Sequence, residues 1–197
     1  MGILVGRQAP DFTAAAVLAN GNVVGDYNLS NAISGKYGLV FFYPLDFTFV
    51  CPSELIALDH RIKQFKELNV EVIAVSIDSQ FTHAAWRNTP IDQGGIGPVS
   101  YTLVADVKHE ICQAYGVEHP AAGVALRGAF LIDKQGVVRA QNINDLPLGR
   151  NVDEALRMVD ALQYFEEKGE VCPANWTKGK EAMKADHKGV AEYLGKH

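Results

Sequence analysis

Two short apolar runs on either side of one amphipathic helix constrain the fold of this chain more than any other feature. Residues 39–43 (LVFFY) form a continuous aromatic and β-branched run that Pro44 ends, as is typical of a strand buried on both faces. Residues 70–77 (VEVIAVSI) have the same character, and residues 52–68 between them place apolar side chains three and four positions apart. Because parallel strands need a helical crossover, the pattern predicts a βαβ unit at the centre of an α/β sheet.

Later segments of the chain extend this predicted sheet. Residues 101–105 indicate a further strand, and residues 108–115 indicate a short helix. Residues 129–132 and 137–143 flank the loop sequence DKQG, in which glycine occupies a position that tolerates a positive φ. The pattern therefore predicts a β-hairpin at this point of the chain.

Composition changes near residue 170 and indicates how the chain is organised. Apolar residues at helical spacing predict a last core helix over residues 152–165, with Gly169 as its terminator. Beyond that point lysines alternate with small residues and large apolar residues become sparse, which is typical of an extended arm. We therefore predict a core domain at residues 1–169 and a C-terminal arm at residues 170–197. A chain of 197 residues can bury one sizeable core, and a second full domain is not expected.

Charge and local composition exclude several classes of protein. The net charge of −5 argues against a general binder of nucleic acid or of anionic membranes. The longest apolar stretch, residues 38–50, is interrupted by a proline and an aspartate and falls short of the ~20 residues that a membrane helix needs. Residues 1–10 lack the pattern of a secretory signal, so we expect a cytoplasmic protein. Residues 94–97 (GGIG) follow no strand, so we interpret them as a flexible loop rather than a phosphate-binding loop.

The three cysteines, Cys51, Cys112 and Cys172, are widely scattered along the chain. An odd number of cysteines without a C-x-x-C pair fits neither a disulfide scaffold nor a zinc site, so we expect no bound metal. Any disulfide that this chain forms is therefore expected to take part in a reaction rather than to stabilise the fold. Cys112 lies in the predicted short helix, where a packing role is the simpler interpretation.

Cys51 lies between the first buried strand and the first long helix. Ligands of open α/β sheets bind outside the carboxyl ends of the strands, and Pro52 is preorganised for the first turn of a helix. The helix dipole and the unpaired N–H groups at such a position favour a thiolate. The same position also suits a half-buried structural cysteine, and the local sequence leaves both interpretations open.

A lowered thiol pKa alone does not make a fast thiol enzyme. Lowering a thiol pKa from ~8.5 to ~6 raises the thiolate fraction at pH 7 from about 3% to about 90%. Intrinsic nucleophilicity falls with basicity, and a Brønsted slope of ~0.45 removes about a factor of ten. The net gain is only a few fold, so such an enzyme also needs hydrogen-bond donors aimed at the charge that develops in the transition state.

Three residues are candidates for positions around the Cys51 sulfur, and each also has an ordinary structural interpretation. The Thr48 hydroxyl could turn toward the sulfur or could cap loop backbone. The Arg127 guanidinium lies in an apolar neighbourhood and needs an anionic partner, for which a thiolate would qualify. Glu54, one helical turn beyond Cys51, could hold Arg127 in a bidentate pair, although a glutamate is also common at a helix start. Each residue alone is uninformative, and only the combination of the three indicates a reactive thiol at Cys51.

Four motifs spread over the chain point to one family. They are Pro44-x-x-x-Thr48-x-x-Cys51 with Pro52 and Glu54, Arg127-Gly128, Asn144-Asp145-Leu146-Pro147-x-Gly149-Arg150, and Glu170-Val171-Cys172-Pro173. In these motifs the sequence resembles the typical 2-Cys peroxiredoxins of the bacterial alkyl hydroperoxide reductase C type, over essentially its whole length. The resemblance implies an α/β, thioredoxin-like fold, with a central mixed β-sheet flanked by helices and an extended C-terminal arm.

The resemblance also implies roles for individual residues. Cys51 would be the peroxidatic nucleophile, its pocket would be lined by Pro44, Thr48 and Arg127 with Arg150 nearby, and Cys172 would be the resolving thiol. In the implied cycle the Cys51 thiolate attacks a peroxide, becomes a sulfenic acid and condenses with Cys172 of a partner subunit. Water or an alcohol leaves in the first step.

The implied function is a thiol peroxidase that reduces hydrogen peroxide and small organic hydroperoxides, with no metal, haem or flavin of its own. Reducing equivalents would come from an external flavoprotein disulfide reductase or from thioredoxin, and so indirectly from NAD(P)H. The resemblance implies a homodimer and a ring of five dimers. A redox-regulated holdase chaperone or a peroxide sensor on the same fold is the alternative, whereas the missing C-x-x-C argues against a thiol–disulfide oxidoreductase.

Overall fold

The computed structural model describes residues 2–196, and within them a seven-stranded sheet runs in the order β2-β1-β5-β4-β3-β6-β7. The strands are β1 Thr13–Val17, β2 Val23–Asn28, β3 Tyr37–Phe42, β4 Val70–Ser76, β5 Thr102–Ala105, β6 Arg127–Ile132 and β7 Val138–Asn144. The helices are α1 Leu29–Ala32, α2 Cys51–Glu67, α3 Gln80–Asn88, α4 Glu110–Ala114, α5 Val152–Lys168 and α6 His187–Leu194. A 3-10 turn covers Ile91–Gln93. No described helix is both long and apolar enough to span a bilayer.

The predicted βαβ unit is confirmed as β3, α2 and β4. β3 and β4 pair in parallel, with Tyr37 opposite Val70 and Phe42 opposite Val75. β5 adds to β4 in parallel, whereas β6 adds antiparallel to the other side of β3. The predicted hairpin is also present as β6 and β7. The sheet is therefore mixed, as the thioredoxin-like fold requires.

The central strands are buried on both faces, in agreement with their unbroken apolar sequence. Every residue of β3 is buried. On one side the ring of Phe42 packs against Tyr115, with ring centroids 5.0 Å apart, and against Phe130 at 5.8 Å. This packing fixes the carboxyl end of β3, from which the chain runs through Pro44 into α2.

The chain divides between Val152 and Asp153 into two compact units. The sheet lies entirely in the first unit. In the second, the tail that follows α5 is locally folded: Val171 and Met183 form a β-bridge, and α6 begins at an Asp186 cap. The boundary between residues 169 and 170 is predicted from a change in composition, and it stays a prediction.

In the glycine-rich segment at residues 94–97, Gly94 is exposed and the three residues that follow it are buried. The indole N–H of Trp86 donates to the carbonyl oxygen of Gly94 at 2.9 Å, and Ile96 is buried. A Cβ on Gly95 would overlap the backbone carbonyl of Thr89. Close backbone approach, rather than flexibility, explains the glycine at position 95.

The Gly95→Ala variant should therefore be destabilised by about 1–3 kcal/mol, because the clash is with backbone that cannot move aside. Chemical unfolding of the purified variant measures the effect. Gly25→Ala is the matched control, since a Cβ there would meet no atom within 4 Å. Equal midpoints for the two variants would contradict the packing described for this loop.

Candidate active site around Cys51

Cys51 is the first residue of α2, directly beyond the carboxyl end of β3. Val50 is the N-cap and supplies no side-chain cap, while Pro52 occupies the first turn. The predicted start of this helix is thus confirmed. The residue is only 1% exposed, so its sulfur lies in a closed pocket.

Two side chains approach the Cys51 sulfur. The Thr48 hydroxyl lies 3.0 Å from Sγ and 2.8 Å from the carbonyl oxygen of Leu45. A hydroxyl has one proton and two lone pairs, so Thr48 can donate to one of these acceptors at a time and accept a proton in exchange. An N–H of the Arg127 guanidinium lies 3.5 Å from Sγ. The Thr48 hydroxyl is therefore placed both to face the Cys51 sulfur and to cap the loop backbone at Leu45.

Glu54 holds two buried arginines. Its Oε2 accepts from Arg127 at 2.7 Å, and its two carboxylate oxygens accept from Arg150 at 2.9 and 3.0 Å. The expected bidentate pair with Arg127 is therefore wrong, because Arg150 takes that role and Arg127 makes a single contact. Arg127 uses its Nε to donate to the Leu146 carbonyl, which turns its other edge toward Glu54 and the sulfur.

Arg150 is anchored from several sides. Its backbone N–H donates to Glu54 at 2.7 Å, and its guanidinium donates to the Gly128 carbonyl at 2.6 Å. The same guanidinium stacks on the ring of Phe41, 3.2 Å from the centroid. A cation over an aromatic face is attracted by the ring quadrupole. The sequence alone did not indicate these contacts of Leu146, Gly128 and Phe41.

The pKa shifts within this cluster follow from burial and pairing. Burial raises the pKa of Glu54, but hydrogen bonds and charge from Arg150, with the charge of Arg127, outweigh it and hold the pKa below its usual value. Burial lowers the pKa of Arg150 to about 10, against the opposing effect of Glu54. Glu54 and Arg150 are therefore charged at neutral pH, and with the guanidinium of Arg127 the cluster carries one net positive charge beside Cys51.

A second buried network lies under the loop that carries Thr48. The Tyr43 hydroxyl donates to one oxygen of Asp46 at 2.7 Å, and the imidazole Nδ1 of His83 lies 2.7 Å from the other. Nε2 of His83 is 3.1 Å from the carbonyl oxygen of Val104. This network ties the loop to α3 and β5, and the sequence reasoning missed it because α3 was not predicted.

The structure brings five of the seven predicted site residues into direct contact: Cys51, Thr48, Glu54, Arg127 and Arg150. Pro44 is buried at the start of the same loop. Cys172 belongs to the C-terminal unit, where it is partly exposed and its sulfur lies 3.6 Å from the Ala161 carbonyl. Burial raises the pKa of Cys172, against the opposing charge of Arg157.

Known proteins similar to this chain match it over nearly its whole length. The profile of the AhpC/TSA family matches residues 5–141, and that of the C-terminal domain of 1-Cys peroxiredoxin matches residues 161–196. An alkyl hydroperoxide reductase C of Helicobacter pylori is 58% identical over 98% of this chain and 96% of the relative. Peroxiredoxin-2 of Bos taurus is 51% identical, with the same coverage. None of these relatives is named as a chaperone or a sensor.

A solved structure agrees with the fold. The reduced 2-Cys peroxiredoxin of Plasmodium vivax superposes with a TM-score of 0.94 and 49% identity, over 98% of this chain and 99% of that chain. The likeness therefore covers both the fold and nearly half of the residues of the sequence.

Replacing Glu54 by Gln should destabilise the protein by about 3 kcal/mol at pH 7, because two buried guanidinium groups would lose their counter-charge. Urea unfolding measures the difference from wild type. Glu67→Gln on the same helix is the control, since this exposed side chain should contribute within about 0.5 kcal/mol.

The difference should depend on pH with a defined sign. The native pKa of Glu54 lies below its ordinary value of 4.5, so the stabilising contribution is fully present above that pH and is lost as pH falls through the native value. Wild type and Glu54→Gln should therefore converge in acid. A difference that stays constant from pH 7 down to the acid transition would contradict the role given to Glu54.

Proposed function

Because this chain belongs to the AhpC/TSA family of peroxiredoxins and is a thiol-dependent peroxidase, we propose that Cys51 is the thiol that peroxide oxidises. The observation that carries the proposal is the placement of its sulfur, 3.0 Å from the Thr48 hydroxyl and 3.5 Å from the Arg127 guanidinium. In this proposal Cys172 is the resolving thiol, and Pro44 shapes the pocket.

In the first step the Cys51 thiolate attacks one oxygen of the hydroperoxide as the O–O bond breaks. The sulfur loses two electrons and becomes a sulfenic acid, while the other oxygen leaves with both electrons of the broken bond and takes up a proton to form water or an alcohol. Negative charge moves from sulfur to the two oxygens along this path. Donors that reach the sulfur also reach oxygens that stand next to it, and there they stabilise the transition state.

Glu54 and Arg150 act in this scheme as positioning residues. Arg127 is held by Glu54 at 2.7 Å and by the Leu146 carbonyl at 2.6 Å, so the guanidinium nitrogen that donates to Glu54 also lies 3.5 Å from the sulfur before substrate arrives. A preorganised donor costs no reorganisation during the reaction. The net positive charge of the three groups favours the anionic forms of sulfur and of the departing oxygen.

In the second step the sulfenic acid condenses with the thiol of Cys172 from a partner subunit, which forms the disulfide and releases water. Cys51 is 1% exposed in the first turn of α2, so this turn must open before the disulfide can form. An external disulfide reductase, either a flavoprotein or thioredoxin, then supplies two electrons that derive from NAD(P)H. The cycle needs no bound metal, haem or flavin.

The proposal extends to substrate and assembly. We place hydrogen peroxide and small organic hydroperoxides as substrates, in keeping with the name alkyl hydroperoxide reductase C carried by relatives. An intersubunit disulfide requires at least a homodimer, and we propose a ring of five dimers in the cytoplasm.

A non-reducing gel after one equivalent of hydrogen peroxide tests the division of labour between the thiols. Wild type should form a covalent dimer, Cys51→Ser should consume no peroxide, and Cys172→Ser should consume one equivalent without forming the dimer. Both variants keep Cys112. A covalent dimer in Cys172→Ser would show that a thiol other than Cys172 resolves the sulfenic acid and would contradict the proposal.

The hydroxyl of Thr48 should matter for rate through its hydrogen bond and not through its shape. Thr48→Val keeps the shape and should lower kcat/KM for hydrogen peroxide by about 10²–10³, the cost of losing one transition-state donor. Thr48→Ser keeps the hydroxyl and should stay within about tenfold of wild type. Stopped-flow oxidation of the reduced proteins measures both, and equal losses in the two variants would leave the hydroxyl without the proposed role.

A further inference from the structure

A cluster of three potential metal ligands lies around α4, outside the site of Cys51. The side chains of His109, Cys112 and Glu118 each offer one ligand atom, and these atoms lie within 4.8 Å of one another. Nδ1 of His109 is 2.7 Å from the Glu118 carboxylate, and the Cys112 thiol donates to the His109 carbonyl at 3.3 Å. The peroxidase chemistry uses none of the three.

The backbone holds all three residues in place. His109 adopts a left-handed conformation at φ 62°, where its N–H donates to the Asp106 carbonyl and its own carbonyl accepts from Gln113. Cys112 is fixed by its N–H, which donates to the Asp106 carboxylate at 2.7 Å. Glu118 forms a β-bridge with Ala125. The ligand atoms therefore converge without any ordering of a loop.

We propose that His109, Cys112 and Glu118 form a binding site for one zinc ion. Zinc combines thiolate, imidazole and carboxylate ligands in tetrahedral sites, whereas magnesium and calcium take oxygen ligands alone. Zinc–ligand bonds of about 2.0–2.3 Å separate the ligand atoms of a tetrahedron by roughly 3.3–3.7 Å. The cluster reaches this spacing if the Glu118 carboxylate moves about 0.6–1 Å away from His109 and the separations that now extend to as much as 4.8 Å shorten by about 1 Å. Three protein ligands leave a fourth position for water.

Charge and access both favour a cation at this place. Two carboxylates lie close to the Cys112 thiol, since that of Asp106 accepts from the Cys112 N–H at 2.7 Å and that of Glu118 lies within 4.8 Å of the sulfur. A divalent ion is attracted by these carboxylates and displaces the thiol proton to solvent as the sulfur–zinc bond forms. His109 and Glu118 are 28% and 29% exposed, so the ion can enter from their side.

The supporting contact of Glu118 resembles those of known metal sites. The Gln113 side chain donates a hydrogen bond to the Glu118 carboxylate, in addition to the contact with His109. Outer contacts that orient ligating carboxylates contribute to metal affinity. The competing explanation is a plain hydrogen-bonded pair of His109 and Glu118 that secures the turn before β6, and such a pair would not involve the sulfur.

Cobalt(II) titration of the reduced, metal-free protein separates the two explanations, because a thiolate ligand gives cobalt a near-ultraviolet charge-transfer absorption that a histidine–carboxylate pair does not. The titration is made on the full chain with Cys51→Ser and Cys172→Ser, so that Cys112 is the one cysteine present. The absorption should saturate at one equivalent and disappear when zinc is added. Absence of this absorption in the folded protein overturns the proposal.

Ligand variants in the same background extend the test. Cys112→Ser should abolish the absorption, and His109→Asn and Glu118→Gln should each weaken cobalt binding by at least about tenfold. Asparagine tolerates the left-handed backbone at position 109, which guards against misfolding. His60→Gln, on the exposed side of α2, is the control and should bind as the background does. Unchanged affinity in His109→Asn or Glu118→Gln overturns the assignment of that ligand, whatever the result for Cys112→Ser.

Discussion

The site around Cys51 depends on one buried carboxylate. Arg127 and Arg150 are 4% and 3% exposed, and burial of two unpaired guanidinium groups would cost far more than the packing around them returns. Glu54 lies between them, with oxygens 2.7–3.0 Å from both. Because the carboxylate is on the first turn of the helix that begins with Cys51, the same short segment places the sulfur and the group that orients its cation.

The proposed reaction accounts for this network of buried charges better than a contribution to folding stability does. Replacing a buried ion network with apolar side chains of similar volume is often neutral or stabilising in other proteins, so the free energy of folding alone does not account for three buried charges. A cation that is already fixed beside the sulfur, by contrast, lowers the energy of charge that appears only during the reaction. The two guanidinium groups and the one carboxylate carry a net charge of +1, which one anion at the sulfur would neutralise.

The elements with local signals could be predicted from the sequence, and the contacts between distant segments could not. Pro44 ends β3 and Pro52 marks the start of α2, so the strand, the helix and their parallel neighbour followed from spacing. Strand β1 has three consecutive alanines, which favour no strand by themselves, and it forms only because it pairs with β2 and β5.

The same limit applies to the site itself. Glu54 and Arg150 are 96 residues apart, and no rule of spacing joins them, so only the family resemblance placed them near each other. The correction at Glu54 has the same origin. The sequence showed a carboxylate and an arginine but not the Leu146 carbonyl that rotates Arg127, nor the Phe41 ring that positions Arg150. His109 and Glu118 are nine residues apart, yet it is the backbone turn at His109 that lets them meet.

Cys51 and Cys112 have the same side chain, but the charged groups that lie near their sulfur atoms have opposite net signs. Both residues are 1% exposed and both lie in the first turns of helices. Two guanidinium groups and one carboxylate lie around Cys51, so the net charge of the groups beside this sulfur is positive. Carboxylates of Asp106 and Glu118 lie near Cys112, where an anionic sulfur is unfavourable unless a cation accompanies it. The first environment suits the nucleophile that we propose at Cys51, and the second suits the metal ligand that we propose at Cys112.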